Sequence, residues 1–311
     1  MSDLILHHYP TSPFAEKIRM VLGYKQLSWK SVIIPMMMPK PDVVSLTGGY
    51  RRTPFLQIGA DIYCDTALIC DVLEHIQPAP TLYPTANKGL ARIVAQWGDS
   101  LTFSPIMAFN FQPSGAAEIM GSNPPEWVTA FVQDRQAMRG GAPRMSSSDA
   151  AATYKSYLRR LSDMLAHQPF LLGDAPCIAD FSAAHPIWFT QCRTPSVAGV
   201  LDATPLVKAW LERMMAFGHG HSTEISSTDA LAISHGSTPA ALVDEPFQDD
   251  HGIALGSEVV IAADTFGTEP TTGQLVAATR TRLTLRRHDE RAGTVHVHFP
   301  RIGFTLKKVT P

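Results

Sequence analysis

Residues 9–20 read Tyr-Pro-Thr-Ser-Pro-Phe-Ala-Glu-Lys-Ile-Arg-Met and follow the short apolar run Leu4-Ile5-Leu6. This order predicts a strand, a sharp turn and a helix. Ser12 is a favourable helix N-cap, and Pro13 suits the first helical position, where a missing N–H costs nothing. Apolar residues then recur at the spacing of a buried helix stripe, at Phe14, Ile18, Val21 and Leu22. A hydroxyl and free backbone N–H groups therefore stand at the positive end of a helix dipole, which suits an anion such as a thiolate.

Further strand and helix signals alternate through residue 78. We expect a second strand at 29–34, a hairpin at 55–64 and a helix at 69–76. The proline-rich run 35–41 is expected to interrupt regular structure. This order of elements predicts a mixed sheet covered by helices.

The middle of the chain shows helical patterns and no strand pattern. Helices are expected at 87–108, 124–139, 149–167, 179–191 and 204–217. Pro105 should bend or end the first of them, and residues 112–123 have the composition of a loop. These patterns predict an all-helical domain at 86–217.

The last third of the chain changes character twice. Residues 218–250 are rich in small and acidic residues and contain no Lys or Arg, so we interpret them as an acidic linker. After it, alternating patterns separated by Gly and Pro predict five strands, at 258–263, 274–278, 283–287, 294–298 and 304–308. We expect a small all-β module at 251–311, with a barrel-like or sandwich arrangement.

Composition excludes several classes of function. The net charge is −2, with 45% apolar and 17% charged residues, so nothing draws the chain to nucleic acid or to an anionic membrane. We also see no membrane-spanning run and no signal peptide. The four cysteines lack Cys-x-x-Cys spacing, which is typical of a reducing compartment. We therefore expect a cytoplasmic protein.

Two short motifs follow the first helix. Thr53-Pro54 stands at the entry of the hairpin, where a cis peptide would turn the Thr53 backbone towards an extended ligand. A trans proline that starts an edge strand is the alternative, and the residues alone favour it. Asp65-Thr66 follows the hairpin, where either residue suits a helix N-cap. The same position also offers a carboxylate and N–H groups to a zwitterion.

Together these stretches resemble the glutathione transferase superfamily. The matching residues are 9–19, Arg52-Thr53-Pro54-Phe55-Leu56, 63–69 and, in the helical part, Leu172-Gly173-Asp174 with 178–181. The resemblance covers about residues 1–217. It implies an α/β thioredoxin-like domain at 1–78, with a cis-proline before its third strand, and an all-α domain at 86–217. It also implies that Asp180 is buried and closes the turn before a core helix.

The resemblance implies an enzyme that uses glutathione as co-substrate. The Thr53-Pro54 backbone would pair with the cysteinyl unit, and Asp65 and Thr66 would hold the γ-glutamyl end. Ser12 would donate a hydrogen bond to the sulfur, with Tyr9 as the competing sulfur ligand. The thiolate would attack a small hydrophobic electrophile by conjugation, isomerisation or dehalogenation. Family members commonly form homodimers, and we expect one here.

Three departures from the family pattern support an alternative. Thr66 replaces the usual Ser, and Cys177 replaces the Ser or Thr that usually starts the capping motif. The residues after about 220 lie outside the usual two-domain pattern. The alternative is a non-catalytic protein of the same fold that binds or regulates a partner through its C-terminal β module.

Two other groups of residues each have more than one possible role. His219-x-His221 and His296-x-His298 have a spacing that could chelate a metal, but no third ligand is evident, and we expect no metal. Four apolar side chains follow the first long helix and would line an electrophile pocket or fill the interdomain core: Phe103, Met107, Phe109 and Phe111.

Overall fold

The computed structural model describes residues 3–143, 145–242 and 245–309. Within these ranges every helix is too short or too polar to cross a lipid bilayer. The strands are β1 (Ile5–His8), β2 (Ser28–Ile33), β3 (Phe55–Ile58), β4 (Asp61–Cys64), β5 (His221–Glu224), β6 (Glu258–Ala263), β7 (Thr271–Ala278), β8 (Arg282–Asp289), β9 (Gly293–Pro300) and β10 (Phe304–Lys308). The α-helices are α1 (Pro13–Tyr24), α2 (Pro41–Thr47), α3 (Thr66–Ile76), α4 (Lys88–Trp97), α5 (Phe103–Asn110), α6 (Pro113–Met120), α7 (Pro125–Arg139), α8 (Ser147–Met164), α9 (Ile178–Arg193), α10 (Pro205–Met215) and α11 (Ser227–His235).

The first four strands form the expected mixed sheet. β1 is parallel to β2 and antiparallel to β3, and β3 forms a hairpin with β4. Successive residues of a strand point to opposite faces. Leu6 accordingly packs in the core that α1 and α3 share with the helical domain, while Ile5 packs on the other face with residues of α2 and α11. Both faces are buried, as a thioredoxin-like sheet between helices requires.

Two helices begin where we expected irregular structure. α2 starts at Pro41 and α6 starts at Pro113, each with the proline in its first turn. Proline fits there because its fixed φ suits a helix and its missing N–H would have no intrahelical partner. Residues 35–40 form no helix or strand, so the predicted break is correct up to Pro41. The predicted loop at 112–123 is wrong, because a proline that starts a helix resembles one that breaks it.

The first long helical pattern is divided before Pro105, and the chain remains helical through this proline to Asn110. A π-helical turn at Gly98–Thr102 separates α4 from α5, and Pro105 is the third residue of α5. Proline has no N–H to donate to the carbonyl four residues earlier, that of Leu101. The Tyr157 hydroxyl lies 3.4 Å from this Leu101 oxygen and donates to it.

Asp180 closes the turn before α9, as the family resemblance implies. The carboxylate is buried and accepts hydrogen bonds from Leu171 N at 2.8 Å, Cys177 N at 2.9 Å and Trp210 Nε1 at 2.9 Å. The Cys177 thiol also donates to Asp180, at 3.4 Å. One carboxylate thereby joins the loop before α9, the helix itself and α10.

The C-terminal strands extend the N-terminal sheet instead of forming a separate barrel-like unit. The ten strands lie in the order β10-β6-β7-β8-β9-β4-β3-β1-β2-β5. The join is a parallel pairing of β4 with β9, with Asp61 opposite His296 and Tyr63 opposite His298. An unpaired sheet edge leaves backbone groups without partners, so two such edges pair readily. The sequence patterns predicted the C-terminal strands but not the pairing of β9 with β4.

The segment at 218–250, interpreted as an acidic linker, contains β5 and α11; residues 243 and 244 lie outside the described ranges. β5 pairs in parallel with β2 through its backbone, and all four of its side chains are exposed. α11 buries only Ala230, Leu231 and Ser234. So little apolar surface leaves no hydrophobic pattern in the sequence, which explains why these elements were missed.

Candidate active site

Ser12 caps α1 in the way that its sequence predicts. Its backbone N–H donates to Tyr9 O at 3.1 Å, and its Oγ accepts from Ala15 N at 3.2 Å. The residue is buried, with 2% of its surface exposed. A hydroxyl that accepts a backbone N–H still has its own proton to donate. Ser12 can therefore cap the helix and donate to an anion at the same time.

Tyr9 lies directly before this turn and is partly buried. Burial raises the pKa of Tyr9, while the positive charge of Arg135 acts against that rise. The phenol is therefore protonated at neutral pH and is a hydrogen-bond donor. Lys40 Nζ lies 5.9 Å from the centre of the Tyr9 ring, so positive charge approaches this end of the sheet.

Thr53 and Pro54 stand at the head of β3. Their peptide bond is cis, as the family resemblance implies, and not trans, as the residues alone favoured. Because His7 pairs with Phe55 in antiparallel register, Thr53 and Pro54 lead into β3 at the end of the sheet where β1 ends. The Thr53 Oγ1 atom is buried and has no hydrogen-bond partner among the described residues.

Asp65 and Thr66 begin α3 on the other side of the hairpin. Asp65 has a φ of 78°, and its Oδ1 accepts from Ala67 N at 2.9 Å. Burial raises the pKa of Asp65, although the Ala67 N–H and Lys17 favour its charged form. Thr66 Oγ1 accepts from Lys17 Nζ at 3.2 Å, so its own proton is free for a ligand oxygen.

Strand pairing brings these motifs to one end of the sheet. Phe55 pairs with Cys64 in the β3–β4 hairpin, so Asp65 follows directly beside Pro54. Lys17 links α1 to the start of α3. The Ser12 hydroxyl, the Thr53-Pro54 backbone and the Asp65-Thr66 helix start thus border a common region with two helix N-termini.

A buried ion pair behind Ser12 was missed by the sequence analysis. Lys17 Nζ lies 2.6 Å from Asp99 Oδ2, and the Lys17 side chain is 0% exposed. Asp99 also accepts from Ser182 Oγ at 3.2 Å and lies 3.1 Å from His185 Nε2. Burial opposes the charge on Asp99, but Lys17 and His185 outweigh it and lower the pKa of Asp99. The available signal was a lysine between Phe14 and Ile18, on the apolar stripe of α1.

The connection between β6 and β7, residues 264–270, forms one border of this region. Arg52, next to Thr53, donates to Phe266 O and, at 3.3 Å, to Thr265 Oγ1. Its Nη1 also lies 4.0 Å from Asp65 Oδ2. Arg52 thereby links the C-terminal module to the motif expected to hold the γ-glutamyl group. The sequence gives no signal of this contact.

Arg51 ties the same connection to the helical domain. Its guanidinium pairs with Asp134 of α7 and, at 2.7 Å, with Glu269 of the 264–270 connection. Gly267 N donates to Met138 O at 2.7 Å. The helical domain, the thioredoxin-like domain and the C-terminal module therefore meet beside Thr53.

The four apolar residues expected near an electrophile differ in position. Phe109 is buried and packs edge-on against Tyr154, inside the helical core. Phe103 instead lies 4.6 Å, between ring centres, from Phe14, two residues after Ser12. Met107 and Phe111 are partly buried against the core. Phe103 is therefore the member of the group that approaches the start of α1.

Comparison with known proteins identifies the same two domains as the fold. The family described as Glutathione S-transferase, N-terminal domain matches residues 6–81, and the one described as Glutathione S-transferase, C-terminal domain matches residues 125–213. The crystal structure of a GST-like protein from Pseudomonas syringae matches 99% of this chain and 100% of its own, with a TM-score of 0.84 and 44% identity. The chain belongs to the glutathione S-transferase superfamily, and the expected combination of thioredoxin-like domain, helical domain and C-terminal β module is confirmed.

Two more distant relatives are also similar. A glutathione S-transferase from Rhodospirillum rubrum F11 matches 68% of this chain and 88% of its own, with a TM-score of 0.52 and 20% identity. FtsZ-localized protein A of Caulobacter vibrioides is 22% identical over 184 residues, which is 58% of this chain and 73% of that protein. The first similarity is one of fold alone.

Proposed function

We propose that this protein binds glutathione and activates its thiol for attack on a small hydrophobic electrophile. The observation that carries the proposal is the meeting of Ser12, Thr53-Pro54 and Asp65-Thr66 at one end of the sheet. In the proposed complex the Thr53 backbone pairs with the cysteinyl unit, and Asp65 and Thr66 hold the γ-glutamyl end. Family membership supports glutathione as the ligand.

Ser12 is the proposed thiolate ligand. A free thiol has a pKa of about 8.5, and lowering it by about two units takes roughly 2.7 kcal/mol. One charge-assisted hydrogen bond and the dipole of a helix N-terminus can together stabilise the thiolate by a free energy of this size. The hydroxyl caps the helix through its oxygen and so keeps its proton for the sulfur. Tyr9, a neutral phenol beside Ser12, is the competing donor.

The test is the pKa of the glutathione thiol when the tripeptide is bound to Ser12→Ala. The ultraviolet absorbance of the thiolate reports this pKa. We expect a rise of about one to two units with glutathione still bound. Ser146→Ala is the matched control, since Ser146 Oγ caps α8 through Asp149 N at 3.1 Å, away from the site. An unchanged thiol pKa in Ser12→Ala would refute the role of Ser12, and a rise in Tyr9→Phe would transfer that role to Tyr9.

A second candidate function is that of a non-catalytic binding or regulatory protein. The contact of the C-terminal module with Arg52 favours it, because a module that borders the site can couple a ligand to a partner. FtsZ-localized protein A, whose name gives a location and no reaction, is a relative. Calorimetry with glutathione separates the two. Absence of binding, or binding with an ordinary thiol pKa, would favour the second candidate.

The electrophile, the reaction and the assembly are part of the same proposal. Phe103 beside Phe14 supplies apolar surface near the start of α1, which suits a small hydrophobic substrate. Conjugation, isomerisation and dehalogenation all use the same thiolate. A homodimer and a cytoplasmic location remain predictions from the family and from the cysteines.

A further inference from the structure

A cluster of metal-ligating side chains lies where the C-terminal module joins the thioredoxin-like sheet. Asp61 of β4 pairs directly with His296 of β9, and His298 lies two residues further on the same face. Ligand atoms of all three residues lie within 4.8 Å of one another. We propose that Asp61, His296 and His298 form a binding site for a divalent transition-metal cation of the zinc type.

The spacing of the ligand atoms fits such an ion. His298 Nε2 lies 2.9 Å from Asp61 Oδ1, and His296 Nδ1 lies 3.8 Å from the same oxygen. Two ligands of a tetrahedral ion with bonds of about 2.0–2.1 Å are separated by roughly 3.3 Å. The two separations bracket this value, and the two histidine nitrogens lie within 4.8 Å of each other, so small side-chain shifts that draw the histidines together would complete the coordination. Imidazole nitrogen and carboxylate oxygen are both zinc ligands.

Hydrogen bonds at the outer atoms of two ligands hold them in place. His298 Nδ1 lies 3.0 Å from Thr284 Oγ1, which leaves Nε2 directed at Asp61. Asp61 Oδ2 accepts from Ala240 N at 2.7 Å, which leaves Oδ1 for the ion. Metal-binding histidines and carboxylates are commonly oriented by partners of this kind.

His296 distinguishes a metal site from a simple hydrogen-bond network. A network explains His298 and Asp61, which bond to each other and to neighbours. It does not explain His296, whose Nδ1 is buried without a hydrogen-bond partner among the described residues. Unpartnered buried polar atoms are uncommon, and an absent ion is one of their causes.

Space for a further ligand lies beside the cluster. A cavity of about 60 Å³ is bordered by Asp61 and His298, with Tyr63, Glu245 and Arg282 on its other sides. One water molecule needs less room than this. Arg282 and Glu245 place one charge of each sign beside this space, so a neutral water molecule can serve as the fourth ligand. The site would then have three protein ligands and one exchangeable position.

The proposed ion would bind the C-terminal module to the thioredoxin-like sheet. Asp61 comes from β4 of the sheet, and both histidines come from β9 of the module, so coordination requires the paired strands. An ion that binds only the native state stabilises it by mass action. At a zinc concentration 100-fold above Kd we expect the Tm to rise by roughly 5 °C.

The test is a calorimetric titration with Zn²⁺. It uses the full chain without an affinity tag, after treatment with a chelator. We expect one equivalent of zinc per chain, a rise in Tm, and loss of both in His296→Ala. Thr284→Val should weaken zinc binding by about 10–100-fold. His288→Ala is the matched control, because His288 is exposed on the neighbouring strand β8 and should leave binding unchanged.

His296 is the preferred site of substitution because its ring nitrogen Nδ1 makes no hydrogen bond whose loss would disturb the fold. Circular dichroism checks that the variant is folded, and His296→Gln replaces it if it is not. Absence of zinc uptake by the unaltered protein would overturn the proposal, as would equal uptake by the folded His296 variant. Co²⁺ in place of Zn²⁺ reports coordination geometry through its visible absorption.

Discussion

Replacing Lys17 with methionine tests the buried ion pair that joins α1 to the helical domain. The Lys17 side chain is 0% exposed and that of its partner Asp99 is 19% exposed. Removal of one member of a buried pair typically costs about 3–5 kcal/mol, because the other charge is left without compensation. Asp99 would keep its contacts with Ser182 and His185, so we expect a loss near the lower end, about 3 kcal/mol.

The double variant separates the lost charge pair from lost packing. Asp99→Asn in the Lys17→Met background removes the stranded charge at nearly constant shape. We expect it to restore about 1–2 kcal/mol of the free energy of unfolding. The assay is urea unfolding at pH 7 of the two single variants, the double variant and the unaltered protein. A Lys17→Met loss below about 1 kcal/mol, or strictly additive losses, would refute this interpretation.

Three further predictions concern stability. Burial lowers the pKa of His7 from 6.5 to about 4, so the neutral ring contributes stability above pH 6.5 that is lost as the pH falls. In urea unfolding, the loss of free energy from pH 7 to pH 4 should be roughly 3 kcal/mol smaller in His7→Phe than in the unaltered protein; other buried histidines such as His8 add to the total loss of both. Cys177→Ser should raise the free energy of unfolding by about 1 kcal/mol, since a hydroxyl is the better cap of α9; an unchanged value would contradict this. In Gly49→Ala, at a φ of 151°, the added Cβ would lie 2.1 Å from Pro270 O, so we expect a Tm well below that of the control Gly89→Ala, whose Cβ meets nothing within 4 Å.

The order of the strands and helices could be predicted because their signals are local. Ser12 and Pro13 mark the start of α1, and the stripe from Phe14 to Leu22 marks its buried face. The C-terminal strands were likewise predicted from alternation and turn residues. α2, α6, β5 and α11 were missed because two of them begin with proline and the other two bury little apolar surface.

Contacts between distant parts of the chain could not be predicted in this way. The pairing of β4 with β9 depends on two edges that no local pattern identifies. For the same reason Asp61 was not connected with His296 and His298, although the two histidines were noted as a chelating pair. The approach of Arg52 to residues 264–270 also depends on how the module docks. The sequence shows the spacing of the two histidines along one strand. It does not show which other strand supplies the third side chain of the cluster.

The most direct measurement is a crystal structure of the protein with glutathione. The proposed function predicts that the tripeptide lies along the Thr53-Pro54 backbone, with its sulfur within hydrogen-bond distance of Ser12 Oγ and its γ-glutamyl end at Asp65 and Thr66. A sulfur bound by the Tyr9 hydroxyl would correct the assignment of the thiolate ligand. Glutathione bound elsewhere, or not bound at saturating concentration, would contradict the proposed function.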